Sequence, residues 1–135
     1  MGDFDLASAF RFFGNAQDDL REAALGAIAK RVRVGGHLLL NNHRNPWAIC
    51  ARLNRLTGGN ADNIDLHLPK LRALLARHGF EIVRLQPIGA WLLRSAWMSR
   101  AQADAPRSLR NERLFGAAWL APIAPDLLVL AQRLR

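Results

Sequence analysis

Nine residues constrain this chain more than any others: Gly35-Gly36-His37-Leu38-Leu39-Leu40-Asn41-Asn42-His43. A half-exposed strand alternates apolar and polar residues. This run does not: three leucines stand together between a glycine pair and a cluster of amides. It reads as a strand buried on both faces, of the kind found in parallel sheets covered by helices. In such sheets ligands bind beyond the carboxyl ends of the strands. Asn41, Asn42, His43 and Arg44 therefore stand where chemistry is expected. The same four residues suit an ordinary polar loop leaving a core strand equally well.

The residues before this run supply its neighbours. Phe4 to Phe10 is a short, mostly apolar stretch that predicts a buried strand, and Arg11-Phe12-Phe13-Gly14-Asn15 forms the loop at its end. An arginine between aromatics at a strand's carboxyl end can hold a ligand by stacking or by charge. Phe12 and Phe13 can equally pack beneath the next helix. Asp18-Asp19 opens that helix, since acidic residues suit free N–H groups and the positive end of the dipole. Leu20, Ala23, Ala24, Ala27, Ile28 and Val32 recur at three and four, which predicts one buried face. Lys30, Arg31 and Arg33 crowd the last turn, and Gly35-Gly36 is expected to stop it. Strand, helix and strand together predict a βαβ unit with parallel strands.

Beyond the leucine run, Asn45-Pro46 reads as a cap with proline at the first helical position. Trp47, Cys50, Ala51 and Leu53 predict a short amphipathic helix ending near Thr57-Gly58-Gly59. After a polar loop, Leu68-Pro69 begins another helix, with Leu71, Leu74 and Leu75 inward, Arg72 and Arg77 outward, and His78-Gly79 at its end. Phe80 to Ile88 is β-rich and is cut off by Pro87 and Gly89. Ala90 to Ala105 fits a lid, a substrate wall or a helix on the sheet. Arg107 to about Trp119 predicts a last helix, broken by Pro122 and Pro125. Asp126 to Leu134 predicts a final strand.

Composition narrows the class. The 135 residues suffice for one domain with a real core, and half of them are hydrophobic. The formal charge is +8, and Lys30 and Lys70 are the only lysines among 19 basic residues. Such an excess suits nucleic acid or an anionic surface. The arginines are spread along the chain, however, and such usage follows genomic base composition more readily than a nucleic-acid partner. Cys50 is the single cysteine, which excludes an internal disulfide and points to a reducing, cytoplasmic setting. Among Trp47, Ile49 and Leu53 it reads as a buried, inert thiol. Asp3 and Asp5 do not fit a basic signal region, the myristoylation pattern fails, and no apolar run is long enough to span a bilayer. His67 and His78 have no nearby carboxylate or second ligand at metal spacing, so they read as surface or capping groups, and no metal site is expected.

The order of these segments resembles the C-terminal half of a class I S-adenosylmethionine-dependent methyltransferase domain. The phrases that carry the resemblance are FDLASAFRFFGNA, DDLREAALGAIAKRVRVGGHLLLNNH, LPKLRALLARHGFEIVRLQPIG and PDLLVLAQRL. In that family they correspond to the fourth strand, its helix, the fifth strand, a helix and a sixth strand beginning GF. A last strand then returns antiparallel between the fifth and sixth. The fold expected from the resemblance is α/β: a partial Rossmann-like sheet of parallel strands with a C-terminal antiparallel strand, flanked by helices. The expectation for residues 1–135 is a single methyltransferase-like domain without its N-terminal cofactor-binding half. A glycine-rich turn after a strand and an acidic partner for a ribose diol, the features that approach the cofactor most closely, are not found. Gly35-Gly36 precedes its strand, and Gly58-Gly59 follows a helix.

The resemblance implies site residues. Phe10, Arg11 and Phe12 match the segment that lies along S-adenosylmethionine. Asn42, His43 and Arg44 match the loop on the acceptor side, and Trp91 and Arg94 would line the acceptor pocket. Methyl transfer from a sulfonium needs alignment of the acceptor, plus a base where the acceptor is protonated. His43 is the candidate base, as its ordinary pKa is near neutral; it also fits a loop histidine without a catalytic role. The expected function is the C-terminal portion of a methyltransferase acting on an unidentified acceptor, inactive as an isolated chain. A non-enzymatic basic module binding RNA or another anion is the alternative. So is an interaction fragment that self-associates through its exposed first strand.

Overall fold

The computed structural model describes residues 4–43, 45–56, 66–90, 109–110, 113–114 and 116–135. In order, these form β1 (Phe4–Ala9), α1 (Asp18–Arg31), β2 (Val32–Asn42), α2 (Ile49–Leu56), α3 (Leu68–Arg77), β3 (Phe80–Ile88), a 3-10 helix (Ala118–Ile123) and β4 (Asp126–Arg133). Four strands make one sheet in the order β1-β2-β4-β3. β1 and β2 are parallel, and β4 runs antiparallel to both of its neighbours, β2 and β3. This is the expected arrangement: a parallel pair joined through a helix, and a returning strand inserted between the second and third strands.

One face of the sheet holds the core. Leu38 and Leu40 of β2 and Leu127, Val129 and Ala131 of β4 are fully buried, together with Phe13, Leu25 of α1 and Leu71 and Leu75 of α3. Burial of each such leucine contributes about 2 kcal/mol. Both α1 and α3 therefore cover the same face. The alternate residues Leu39, Leu128 and Leu130 point the other way and are half-buried. The leucine run is thus buried fully on one face and partly on the other.

Several boundaries differ from expectation for identifiable reasons. α1 ends at Arg31, and β2 begins at Val32, so Gly35-Gly36 is not a helix stop. The pair makes a bulge in β2. Phe4 pairs with Val32 and Leu6 with His37, so four residues of β2 stand opposite one of β1. Gly35 has φ +82°, and a Cβ on Gly36 would lie within 3.0 Å of Val32, Arg33 and Asp5. The bulge needs a left-handed residue followed by one without a side chain. An ion pair between Arg33 and Asp5 closes it.

The inward face of α1 also differs. Leu20, Ala23 and Ala27 are exposed, while Arg21 and Leu25 are buried and Ile28 and Ala29 are partly covered. In an alanine-rich helix the apolar positions mark more than one face, so spacing alone does not select one. α3 matches expectation, with Leu71, Leu74 and Leu75 buried. β1 is less buried than predicted: Phe4, Leu6 and Phe10 are each over half exposed, because among the described residues β1 has a neighbour on one side only. Trp119 and Pro122 belong to the 3-10 helix rather than to the end and the break of an α-helix. Pro87 lies within β3 instead of ending it, where an outer strand tolerates a residue without N–H. No helix among the described residues is long and apolar enough to cross a membrane.

Candidate functional site at the strand tips

The carboxyl ends of β1, β2 and β3 and the amino end of β4 lie at one end of the sheet. Ala9 pairs with Leu40, Asn42 with Leu127, and Ile88 with Asp126. A hydrogen bond ties the first two tips together: the Arg11 backbone N–H donates to Asn41 Oδ1 at 2.5 Å. Arg11 has φ 57°, a left-handed conformation that costs a non-glycine residue free energy. Asn15 helps to hold it there by donating from Nδ2 to the Arg11 carbonyl at 2.8 Å. The Asn15 and Ala16 N–H groups both donate to the Phe12 carbonyl at 3.0 Å, so the chain turns sharply after β1. Phe12 meets Phe13 edge to face, with ring centroids 5.1 Å apart. Phe13 is anchored in the core, while Phe10 and Arg11 stay exposed and Phe12 half-buried.

Arg21 braces this loop from below. It is 97% buried, its Nε donates to the Phe13 carbonyl at 2.8 Å, and its guanidinium pairs with Asp18 at 2.7 Å. Gly14 sits against the second tip. A Cβ there would lie 3.0 Å from the His43 carbonyl oxygen and 3.1 Å from its Nδ1. Only glycine lets the two loops approach this closely.

At the end of β2, Asn42 and His43 are buried. Asn42 Nδ2 donates to the Leu66 carbonyl at 2.8 Å, fixing the approach to α3, while Asn42 Oδ1 has no hydrogen-bond partner among the described residues. Asn45 is buried too and joins three segments. Its Nδ2 donates to the carbonyls of Pro122 at 2.8 Å and Ala124 at 2.9 Å, and its Oδ1 accepts from the Trp47 N–H at 3.1 Å. Its backbone N–H donates to the Pro125 carbonyl at 2.9 Å. The loop after β2 is thereby clipped to the segment that leads into β4.

Phe10, Arg11, Phe12, Asn42 and His43 are thus gathered at one end of the sheet. Arg44, Trp91 and Arg94 lie outside the described residues. Among the described residues of this group, Phe10 and Arg11 are exposed, while Asn42 and His43 are buried. Gly14, Arg21 and Asn45 were not singled out for these positions by sequence. A glycine directly after two aromatics, an arginine three residues after an aspartate in the first turn of α1, and Asn before Pro were the available signals.

Other expected roles can be compared directly. His67 caps α3, its Nδ1 accepting from the Lys70 N–H at 3.2 Å, and its ring stacks on Trp47 with centroids 4.4 Å apart. His78 does have a carboxylate beside it, contrary to expectation: Glu22 of α1 lies 2.5 Å from its Nε2. Helix packing brings these together across 56 residues of sequence, a distance that spacing does not reveal. Cys50 is buried, and desolvation pushes its thiol pKa up, the opposite of what a nucleophile needs. A groove of about 580 Å³ runs along α3, lined by Trp47, Arg72, Leu85, Trp119 and Pro122 among others, and does not include Phe10, Arg11 or Phe12. No group of three potential metal ligands occurs among the described residues.

No protein-family model and no curated protein matches this sequence. Solved structures do resemble it in backbone. An S-adenosylmethionine-dependent methyltransferase from Mesorhizobium loti superposes with a TM-score of 0.56 at 16% identity, over 97% of this chain and 62% of that one. A methyltransferase of the same kind from Archaeoglobus fulgidus gives 0.57 at 10% identity, over 97% and 60%. The [4+2]-cyclase SpnF gives 0.53 at 14% identity, over 98% and 50%. The chain therefore spans between half and five-eighths of the length of these structures. At such identities the likeness is one of fold. The chain has the α/β fold of S-adenosylmethionine-dependent methyltransferases, over part of their length.

Proposed function

We propose that this chain forms the trailing side of a methyltransferase pocket, with the cofactor along Phe10, Arg11 and Phe12 and the methyl acceptor beside Asn42, His43 and Arg44, with Trp91 and Arg94. The single observation that carries the reading is the strand order β1-β2-β4-β3, with β4 antiparallel inside it. That order brings the Phe10 and Asn42 tips together.

The residues fit one side of S-adenosylmethionine. Exposed Phe10 and the exposed Arg11 side chain offer an apolar and a charged contact at the strand tips, while the sequence carries no glycine-rich turn after a strand. When bound, the cofactor supplies a methyl group on a sulfonium, so the chain's own task is alignment of the acceptor. The link from Asn41 to Arg11 sets the spacing of the two tips. His43 packs against Gly14 at the same end, within reach of a role as base once an acceptor approaches. Arg33, Lys70 and Arg77 are engaged in ion pairs, which supports this reading over a basic nucleic-acid module. The fold alone does not fix the chemistry, because SpnF shares it and is named as a cyclase.

Titration with S-adenosylhomocysteine, followed by amide chemical shifts, tests the reading. We expect weak binding, with shifts confined to residues 10–16 and 41–43. Shifts elsewhere, or none at millimolar ligand, would remove the cofactor assignment. Micromolar affinity would instead show that the chain needs no further cofactor-binding residues.

A further inference from the structure

The groove along α3 takes no part in the proposed pocket. It lies against Leu85 of β3, the strand at the far end of the sheet order from β1. Its volume of about 580 Å³ suits a small ligand. Leu71, Leu74 and Leu75 turn one side of α3 into the core, while Arg72, Ala73 and Ala76 are exposed and line the groove. The two alanines fill little of the space beside the helix, so the groove stays open along it.

Trp47 and Trp119 supply its aromatic surface and are 38% and 78% exposed. One buried residue ties their segments together. Asn45 Oδ1 accepts from the Trp47 N–H at 3.1 Å, and its Nδ2 donates at 2.8 Å to the carbonyl of Pro122, in the 3-10 helix that carries Trp119. The Trp47 ring also stacks on His67, which is itself fixed as the cap of α3. The walls are therefore set before a ligand arrives, which lowers the entropy lost on binding.

Charge selects the occupant. Of the three basic residues on α3, Lys70 and Arg77 pair with Asp18 and Glu22 of α1. Arg72 is bound to no carboxylate among the described residues, and none of those lining the groove is Asp or Glu. A guanidinium grips a carboxylate through two parallel hydrogen bonds, and tryptophan packs well against flat apolar rings. We propose that this groove binds a planar aromatic carboxylate, with its rings against Trp47 and Trp119 and its carboxylate on the Arg72 guanidinium. The site is separate from the strand tips and does not depend on the methyltransferase reading.

Naphthoate and its uncharged counterpart naphthamide, followed through the indole N–H signals of Trp47 and Trp119, test the assignment. Naphthoate should move both signals, and naphthamide should bind about fivefold more weakly. Arg72→Gln, at an exposed helical position, should weaken naphthoate about fivefold and leave naphthamide unchanged. Arg84→Gln removes an exposed arginine outside the groove and should alter neither. Trp119→Ala should weaken both ligands. Signals that stay still at millimolar naphthoate would overturn the proposal. So would a naphthoate affinity indifferent to Arg72→Gln, or one that falls as much with Arg84→Gln, which would reduce the effect to overall charge.

Discussion

The tips of the sheet and the seam between α1 and α3 are both held by polar side chains, yet in different solvent. At the tips Asn42, Asn45 and Arg21 are buried and bond to backbone carbonyls. Along the seam the partners are ionisable side chains that keep some access to solvent: Arg77 with Glu22, His78 with Glu22, and Lys70 with Asp18. Asp18 belongs to both regions, since one of its oxygens holds Arg21 and the other Lys70. The lesson is that what survives a deletion matters more than the bond itself. A buried carbonyl that loses its donor cannot turn to water, whereas an exposed carboxylate that loses its cation can.

The contrast predicts an order of effects. Asn45→Ala should be the most damaging, at about 3 kcal/mol, because it strands the buried carbonyl of Ala124 and releases those of Pro122 and the Trp47 N–H together. Urea denaturation would measure it, and a loss below about 1 kcal/mol would break the distinction between the regions. Gly14→Ala should cost about 1–3 kcal/mol, since the new methyl meets the His43 backbone at 3.0 Å rather than a flexible side-chain end. It should also displace the His43 ring signals, which Asn45→Ala should not reproduce alone. Asn41→Ala removes the acceptor for the Arg11 N–H at a more exposed place, so its stability loss should stay below about 1 kcal/mol. Amide exchange at Arg11 should nonetheless rise clearly, which would show that the tip link positions the loop more than it stabilises the fold.

How far the sequence revealed these regions follows from the same physics. β2, β4 and α3 were legible because leucine spacing records burial directly, whereas the antiparallel return of β4 was expected only from the resemblance to methyltransferases. The parallel β1–β2 pair and the shared end of Phe10 and Asn42 followed from topology. Arg21 stayed hidden because a buried arginine looks, in sequence, like any exposed one. Gly35-Gly36 misled because a glycine pair after basic residues suits a helix stop as well as a bulge. His78 and Glu22 meet through packing of α1 on α3, and no local pattern encodes a contact between distant helices. Asn42 and His43 were placed correctly at the tip, yet their burial depends on Leu66 and Gly14, which spacing does not bring near.

The smallest expected effect lies in the seam and shows itself through pH. Hydrogen bonds from His78 and then from Arg77 hold the Glu22 carboxyl below its ordinary value of 4.5. A carboxylate whose pKa is lowered in the folded state adds stability that is fully present above its unfolded value. That contribution is lost as the pH falls through the lowered folded value. The window for Glu22 therefore lies below pH 4.5, and nothing should change near neutrality as this group titrates. Glu22→Gln should flatten that acid limb and lower stability slightly at pH 7, with the difference shrinking in high salt because the group is exposed. Denaturation of the wild type and Glu22→Gln at pH 7 and pH 3.5 compares the two directly. If the variant loses as much at pH 7 as Asn45→Ala does, the seam is not the screened, replaceable region that its exposure describes.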